Sequence, residues 1–71
     1  MEKNISIKTS NGSYAYQISE YKGEYGCYKY KSGFFSGSYD KIGKARSLED
    51  AIAICKSHAT QYGSVWEVKF D

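Results

Sequence analysis

The chain has 71 residues, of which 41% are hydrophobic and 25% are charged, and its formal net charge at pH 7 is +2. A chain this short is expected to form one small domain over residues 1–71, without room for a deep catalytic cleft beside its core. Its small net charge does not by itself indicate a polyanion partner. Eight tyrosines, seven glycines and no proline indicate a fold rich in β-strands.

Cysteine and histidine usage narrows the class further. Cys27 and Cys55 are too few for the disulfide framework of a secreted domain of this size. With one histidine, His58, they cannot complete a structural zinc site, so no metal or cofactor is expected. Met1 leads directly into polar residues, and no apolar run approaches the ~20 residues of a membrane span. We therefore expect a cytoplasmic protein with free thiols and no membrane association.

The first predicted element is a β-hairpin in the segment KNISIKTSNGSYAYQISE. Asn11 and Gly12 lie between two alternating runs, and this dipeptide is the strongest short-range signal for a two-residue hairpin turn. With that turn, the apolar side chains of both strands fall on one face of the sheet. The expected cross-strand pairs are Ile7–Tyr16, Ile5–Ile18, Thr9–Tyr14 and Lys3–Glu20.

A second turn is predicted in YKGEY, around Gly23. A three-residue loop sets Ile18 opposite Tyr28 and keeps the apolar side chains together. A two-residue loop would instead place Cys27 on that face and turn the tyrosines away. We adopt the three-residue loop, which predicts a third strand over residues 25–32 with its tyrosines toward the core and its lysines toward solvent.

Residues 47–63 have the pattern of one helix. Ser47 followed by Asp50 is typical of a helix N-cap, and Gly63 is typical of the left-handed residue that ends a helix. Between them the apolar residues repeat at helical spacing and form one stripe. The stripe consists of Leu48, Ala51, Ile52, Cys55, Ala59 and Tyr62.

The final strand, SVWEVKF, alternates, and its Trp66, Val68 and Phe70 are expected to share the inward face of the sheet. The order β-β-β-α-β predicts a two-layer α+β domain, with a mainly antiparallel sheet and the helix packed on one face. The last strand is expected to lie beside the first and parallel to it, through a right-handed crossover.

Residues 33–46 are left as a 14-residue connection, whose length in so small a domain indicates a function.

No residue pattern indicates catalysis. His58 is the single imidazole, and the sequence places no nucleophile or carboxylate beside it. The segment GSYDKIGKA has five residues between its glycines where a phosphate-binding loop has four, and it ends in alanine rather than serine or threonine. We therefore expect a protein that is not an enzyme.

The basic residues are concentrated between residues 29 and 46. This segment has five basic residues against Asp40 alone, a local charge of +4, so the rest of the chain carries 2 − 4 = −2. Outward lysines would neutralise phosphates and exposed aromatic rings would stack on bases, which favours DNA or RNA as the partner. The candidate binding residues are Lys8, Gln17, Lys29 and Lys31 on the open sheet face, with Phe34, Phe35, Tyr39, Lys41, Lys44 and Arg46 in the loop at its rim.

Two alternatives stay open for the same residues. Phe34 and Phe35 flanked by charge also suit the centre of a protein–protein interface with a polar rim, as in a small regulator or inhibitor from a phage or mobile element. The charges could equally solvate one sheet face and protect its edges from aggregation. The sequence leaves a monomer and a homodimer equally open.

One pattern resembles a known class of domain. Three antiparallel strands followed by a helix that opens with SLEDA, over residues 14–59, resemble the small sheet-type DNA-binding domains at the N-termini of phage-type integrases. The resemblance implies that the sheet contacts DNA, here through Gln17, Lys29 and Lys31. The strand after the helix is a departure from that pattern.

Overall fold

Five strands and one helix form the fold in the computed structural model, which describes residues 2–33 and 36–71. They are β1 (Glu2–Thr9), β2 (Gly12–Tyr21), β3 (Glu24–Lys31), β4 (Ser38–Ala45), α1 (Leu48–Ala59) and β5 (Val65–Phe70). The strands form one sheet in the order β4-β3-β2-β1-β5, and every neighbouring pair is antiparallel. The predicted two-layer α+β fold is confirmed, with α1 packed on one sheet face.

The β1–β2 hairpin differs from its predicted register by two residues. Thr9 pairs with Gly12, so the turn is centred on residues 10 and 11 rather than on the Asn-Gly dipeptide. The Thr9 hydroxyl stabilises this turn, because it accepts from the Asn11 amide at 3.1 Å and donates to the Gly12 carbonyl at 3.1 Å. A shift of two residues keeps every side chain on its predicted face. The observed pairs include Ile7–Tyr14, Ile5–Tyr16 and Lys3–Ile18.

The β2–β3 turn has two residues, so the predicted three-residue loop is wrong. Lys22 and Gly23 have φ values of +52° and +81°, the left-handed pair that a type I′ hairpin turn requires. A difference of one residue reverses both faces of the following strand. Cys27 therefore packs under the helix, while Tyr28 and Tyr30 lie on the opposite face of the sheet.

Strand β4 occupies most of the segment predicted to be a long connection. It pairs with β3 from Tyr25–Ala45 to Lys31–Ser38, with a bulge beside Cys27. Its residues SYDKIGKA show no clear alternation of apolar and polar side chains, because the strand lies at a sheet edge. The fourth strand is also a second departure from the integrase-like pattern.

The missing strand explains the wrong direction predicted for β5, which lies beside β1 as expected but runs antiparallel to it. One additional strand before the helix reverses the direction in which the chain enters and leaves α1. Val68 and Phe70 pair with Ile7 and Ile5 on the helix side, as predicted, although Phe70 is 43% exposed near the end of the strand. A bulge at Lys8 and Thr9 leaves Trp66 without a pairing partner in β1, and Trp66 is 65% exposed.

The core lies between the sheet and the inner stripe of α1. The Ser47 hydroxyl accepts from the Asp50 amide at 3.1 Å, which confirms the predicted N-cap. The helix ends at Ala59 with Thr60 as its C-cap, so the predicted helix end at Gly63 is wrong. The fully buried apolar residues are Ile5, Ile7, Tyr16, Ile18, Cys27, Ala51, Cys55 and Ala59.

Candidate nucleic-acid interface

The sheet face opposite α1 carries a group of tyrosines on its β3–β4 side, which we call the tyrosine face: Tyr28, Tyr30 and Tyr39 with Lys41. Tyr28 pairs with Lys41 on one side and with Gln17 on the other, so these three side chains form a row across β4, β3 and β2. Tyr30 pairs with Tyr39 in the next row, and their rings meet edge to face with centroids 5.3 Å apart.

Glycines allow two of these rings to lie close to the backbone. A Cβ atom at Gly26 would lie 3.0 Å from the ring and the hydroxyl of Tyr28. A Cβ atom at Gly37 would overlap the ring of Tyr30. Each ring therefore lies across a glycine, supported from below by backbone, and only an unsubstituted Cα leaves it the space. The third ring of the tyrosine face, that of Tyr39, belongs to a residue that is 45% exposed.

Several predicted site residues do lie on or beside this face. Lys41 and Lys44 are exposed on β4, and Lys44 pairs with Gly26 in the row next to Tyr28. Gln17 donates from Nε2 to Asn4 Oδ1 at 3.2 Å. This interaction keeps the Gln17 amide at the centre of the sheet.

Lys8 lies on the same face but at its far side, away from the tyrosines. Its ammonium is 3.0 Å from the Glu67 carboxylate and 5.5 Å from the centroid of the Trp66 ring. An ammonium that is already ion-paired contributes less to phosphate binding. Lys8 therefore belongs to a separate region around β5.

Lys29 and Lys31 were predicted to point outward from the open face, and that prediction is wrong. The Lys29 ammonium lies on the helix side, 5.5–5.8 Å from the ring centroids of Tyr14, Tyr16 and Tyr62. It donates to the Tyr30 carbonyl, and burial lowers its pKa, with the charge of Lys31 adding to the effect. The cause of the error is the two-residue turn at Lys22 and Gly23, which reversed the faces of β3.

Lys31 is held at the end of β3 by an ion pair. Its ammonium is 2.7 Å from the Asp40 carboxylate, and this partner raises the pKa of Lys31. Asp40 is the acid that the sequence placed within the basic segment, so the structure shows which of the five basic residues it neutralises.

The remaining loop residues are not assembled with the tyrosines by the described structure. Arg46 follows β4 and lines a small depression of about 150 Å³ with Glu24, Lys44 and Ala45, next to the start of α1. Phe34 and Phe35, both predicted site residues, lie outside the described residues.

Sequence reasoning missed Tyr28 and Tyr30 as surface residues because it placed them in the core. The signal was present in the dipeptide Lys22-Gly23, since a glycine at the second position suits a two-residue turn. The glycines at positions 26 and 37 gave no usable signal, because their partners become neighbours only through the pairing of β3 with β4.

A second polar cluster lies on the helix side, where it joins α1 to the sheet. The Tyr16 hydroxyl and His58 Nδ1 are hydrogen-bonded at 2.8 Å, and the rings of Tyr14 and Tyr62 stack with centroids 4.3 Å apart. Burial raises the pKa of Tyr16 and lowers that of His58, so both groups are neutral at pH 7. This cluster supports the fold rather than an acid–base site.

The two thiols are unsuited to nucleophilic chemistry. Cys27 and Cys55 are both fully buried, and Cys27 Sγ donates to the Ala51 carbonyl at 3.5 Å. Burial raises the pKa of Cys27 and raises that of Cys55 to about 12, so the thiolate form is scarce at neutral pH.

Within the part of the chain that the structure describes, residues 2–33 and 36–71, no group of three or more His, Cys, Asp or Glu side chains is placed to hold a metal ion. The described helix is also too short and too polar to cross a bilayer.

Comparison with known proteins adds no family: no protein-family model, no curated protein and no solved structure matches this chain.

Proposed function

We propose that this chain is a small cytoplasmic binding module, without enzymatic activity, that binds single-stranded DNA or RNA through the tyrosine face. The observation that carries the proposal is the placement of Tyr28, Tyr30 and Tyr39 on a sheet face that the helix leaves uncovered, with Lys41 in the same row as Tyr28. Base–aromatic stacking contributes about 1–3 kcal/mol per base, and every base offers a ring face to stack on.

A single strand fits this surface better than a duplex. The bases of a duplex are already stacked on one another, whereas unpaired bases are free to lie on exposed rings. Two tyrosines supported on glycine backbone are restricted in their motion, so little conformational entropy is lost when a base stacks on them. The row Gln17–Tyr28–Lys41 places an amide and an ammonium on either side of one ring, within reach of a base edge and a phosphate.

The charge of this surface sets the expected salt dependence. If Lys41 and Lys44 each neutralise one phosphate, log Kd should change with log salt with a slope of about 1.4, because each neutralised phosphate of a single strand contributes about 0.7. This is a weak dependence, consistent with a chain whose net charge is only +2. Stacking rather than charge would then supply most of the binding free energy.

Fluorescence anisotropy of labelled single-stranded DNA and RNA at low salt tests the proposal. Tyr28→Leu should weaken binding by about tenfold, the equivalent of one lost stacking contact, whereas Tyr28→Phe keeps the ring and should retain affinity. Lys41→Ala should weaken binding and lower the salt slope, and Lys56→Ala is its charge-matched control on the exposed side of α1. Absence of binding to every oligonucleotide at low salt would eliminate the proposal.

A protein partner is the second candidate, and the exposure of Trp66 favours it. Trp66 is 65% exposed on the edge strand β5, although its Nε1 donates to the Thr9 carbonyl at 3.2 Å. Exposed tryptophan is enriched at the centres of protein interfaces, and an edge strand can pair with a second chain. Sedimentation equilibrium of the wild type and of Trp66→Ser tests the homodimer. Loss of a dimer in the variant, with nucleic-acid binding unchanged, would separate the two functions.

A further inference from the structure

The hydrogen-bonded ladder between β2 and β3 ends before either strand does. It runs from the Tyr21–Glu24 pair to the Tyr16–Lys29 pair, although β2 begins at Gly12. β3 continues beyond it to Lys31, where it pairs with β4 instead. Beyond the last pair the two strands separate and leave a depression of about 470 Å³ that is open to solvent. We call this depression the notch.

The residues that line the notch include aromatic, serine and lysine residues. Tyr14 lines it from β2 and Tyr30 from β3, and Ser13 and Ser32 add hydroxyl groups on the same two sides. Its volume falls within the range of about 300–1,000 Å³ that is typical of small-ligand sites. A lining of this kind suits a ligand with one flat ring and one anionic group, because rings stack on tyrosine while hydroxyl and ammonium groups bind an anion.

The charges around the notch favour an anion. Lys29 and Lys31 both line it, against the single carboxylate of Asp40. Asp40 is committed to Lys31 at 2.7 Å, and within the described ranges 2–33 and 36–71 Lys29 forms no ion pair. The Lys29 ammonium is instead directed by the Tyr30 carbonyl and the surrounding tyrosine rings. One net positive charge therefore remains beside the notch.

The notch is continuous with the tyrosine face through one residue. Tyr30 lines the notch and also contacts Tyr39 edge to face. A strand that stacks on the tyrosine face would therefore reach the notch within one nucleotide step. Among the described residues, residues 13–15 of β2 have no β3 partner in the ladder, so main-chain groups on this side of β2 remain for a ligand.

We propose that the notch binds one nucleotide of the strand, with its base against Tyr30 and its phosphate at Lys29 and the flanking serine hydroxyls. This inference rests on the proposed function and extends it, because it assigns a discrete nucleotide site to a surface that otherwise binds bases by stacking alone. Main-chain groups of β2 that face the base edge would give the notch a preference for certain bases. The tyrosine face, which binds bases by stacking alone, would have no such preference.

An NMR titration of the amide resonances with thymidine 5′-monophosphate tests the notch directly. We expect saturable shifts at Ala15, Tyr30 and Ser32, and weaker shifts with thymidine or with inorganic phosphate alone. Lys29→Met should weaken nucleotide binding by about tenfold, as expected for a lost charge-assisted contact. Lys56→Met removes the same charge from α1 and serves as the control, and Ser32→Ala provides a second variant should Lys29→Met fail to fold.

The outcomes separate this inference from the proposed function. If oligonucleotides bind and depend on Tyr28, but the mononucleotide shifts nothing at the notch, the notch proposal is wrong and the proposed function stands. If phosphate alone binds as tightly as the nucleotide, the notch is an anion site and the proposal also fails. If the mononucleotide binds at the notch but no oligonucleotide binds, the notch stands and strand binding by the tyrosine face is wrong.

Discussion

The two faces of the sheet use the same residue type for different purposes. On the helix side, Tyr16 is 1% exposed, its ring fills the core and its hydroxyl bonds to His58. On the other side, Tyr28 and Tyr30 lie across glycines on the face opposite α1, and no described helix or strand packs over them. A tyrosine buried by a helix contributes to stability, whereas a tyrosine supported by backbone alone presents its outer ring face to a ligand.

This difference explains where function can reside in so small a protein. All five of the fully buried apolar residues that the sheet contributes to the core lie on the face covered by α1, so this face tolerates little change. The tyrosine face is not needed to bury the helix, and its composition is free to serve binding. Four predictions test this contrast, from the largest expected effect to the smallest.

The largest difference in stability is expected between substitutions at two consecutive residues of β2 that lie on opposite faces of the sheet. Ile18 is 1% exposed beneath the helix, so Ile18→Ala should lower the free energy of unfolding by about 2–5 kcal/mol. Ser19 lies on the other face, and Ser19→Ala should change it by less than about 0.5 kcal/mol. Urea denaturation measures both. Equal losses would show that the two faces are not distinct.

The glycine beneath Tyr30 should be intolerant of a side chain. Gly37→Ala forces the Tyr30 ring off the backbone and should cost about 0.5–1.5 kcal/mol, the cost of a side chain displaced from its preferred rotamer. In a Tyr30→Ala background the same change should cost almost nothing, because the ring that it displaces is absent. A cost that persists without the ring would place its origin in the backbone instead.

A substitution in the turn that orients β3 should increase the stability of the fold. Lys22 has a φ of +52°, a region where asparagine occurs several-fold more often than lysine. Lys22→Asn should therefore raise the free energy of unfolding by about 0.5 kcal/mol, the equivalent of a several-fold preference. A loss of stability in this variant would mean that the two-residue turn is not formed.

The smallest expected effect is the pH dependence of stability that His58 contributes. Burial, with the charges of Lys29 and Lys31, lowers the pKa of His58 below its ordinary value of 6.5. Below pH 6.5 the unfolded chain then binds a proton that the folded chain does not, so stability falls with decreasing pH until the folded His58 is also protonated. His58→Gln should remove this component, measured as the difference between the two profiles of melting temperature against pH. Parallel profiles would contradict the account.

The sequence predicted the helix and the first hairpin because their signals are local. The N-cap at Ser47 follows from three-residue spacing, and the inward face of β2 survived an error of two residues in its register. The face of Cys27, in contrast, was predicted wrongly. Its face depends on whether the β2–β3 turn has two residues or three. The three-residue turn was chosen because it kept the tyrosines of β3 on the core face.

Strand β4 could not be predicted, because it is an edge strand whose pairing is decided by β3. Without it, the direction of β5 and the partners of Tyr28 and Tyr30 could not be derived. Lys41, Tyr39 and Gln17 were nevertheless correctly placed near an uncovered surface, since exposure of charged and polar side chains depends little on topology. The tyrosine face itself could be identified only from the fold, which shows the face on which Tyr28 and Tyr30 lie.

The central claim is that the face opposite the helix binds the ligand, and aromatic NMR resonances test it most directly. In a titration with a short oligothymidylate, the ring signals of Tyr28 and Tyr39 should shift and saturate together, while those of Tyr16 and Tyr62, packed against or under α1, should stay in place. Shifts confined to Tyr16 and Tyr62, or no shifts in any ring, would contradict it.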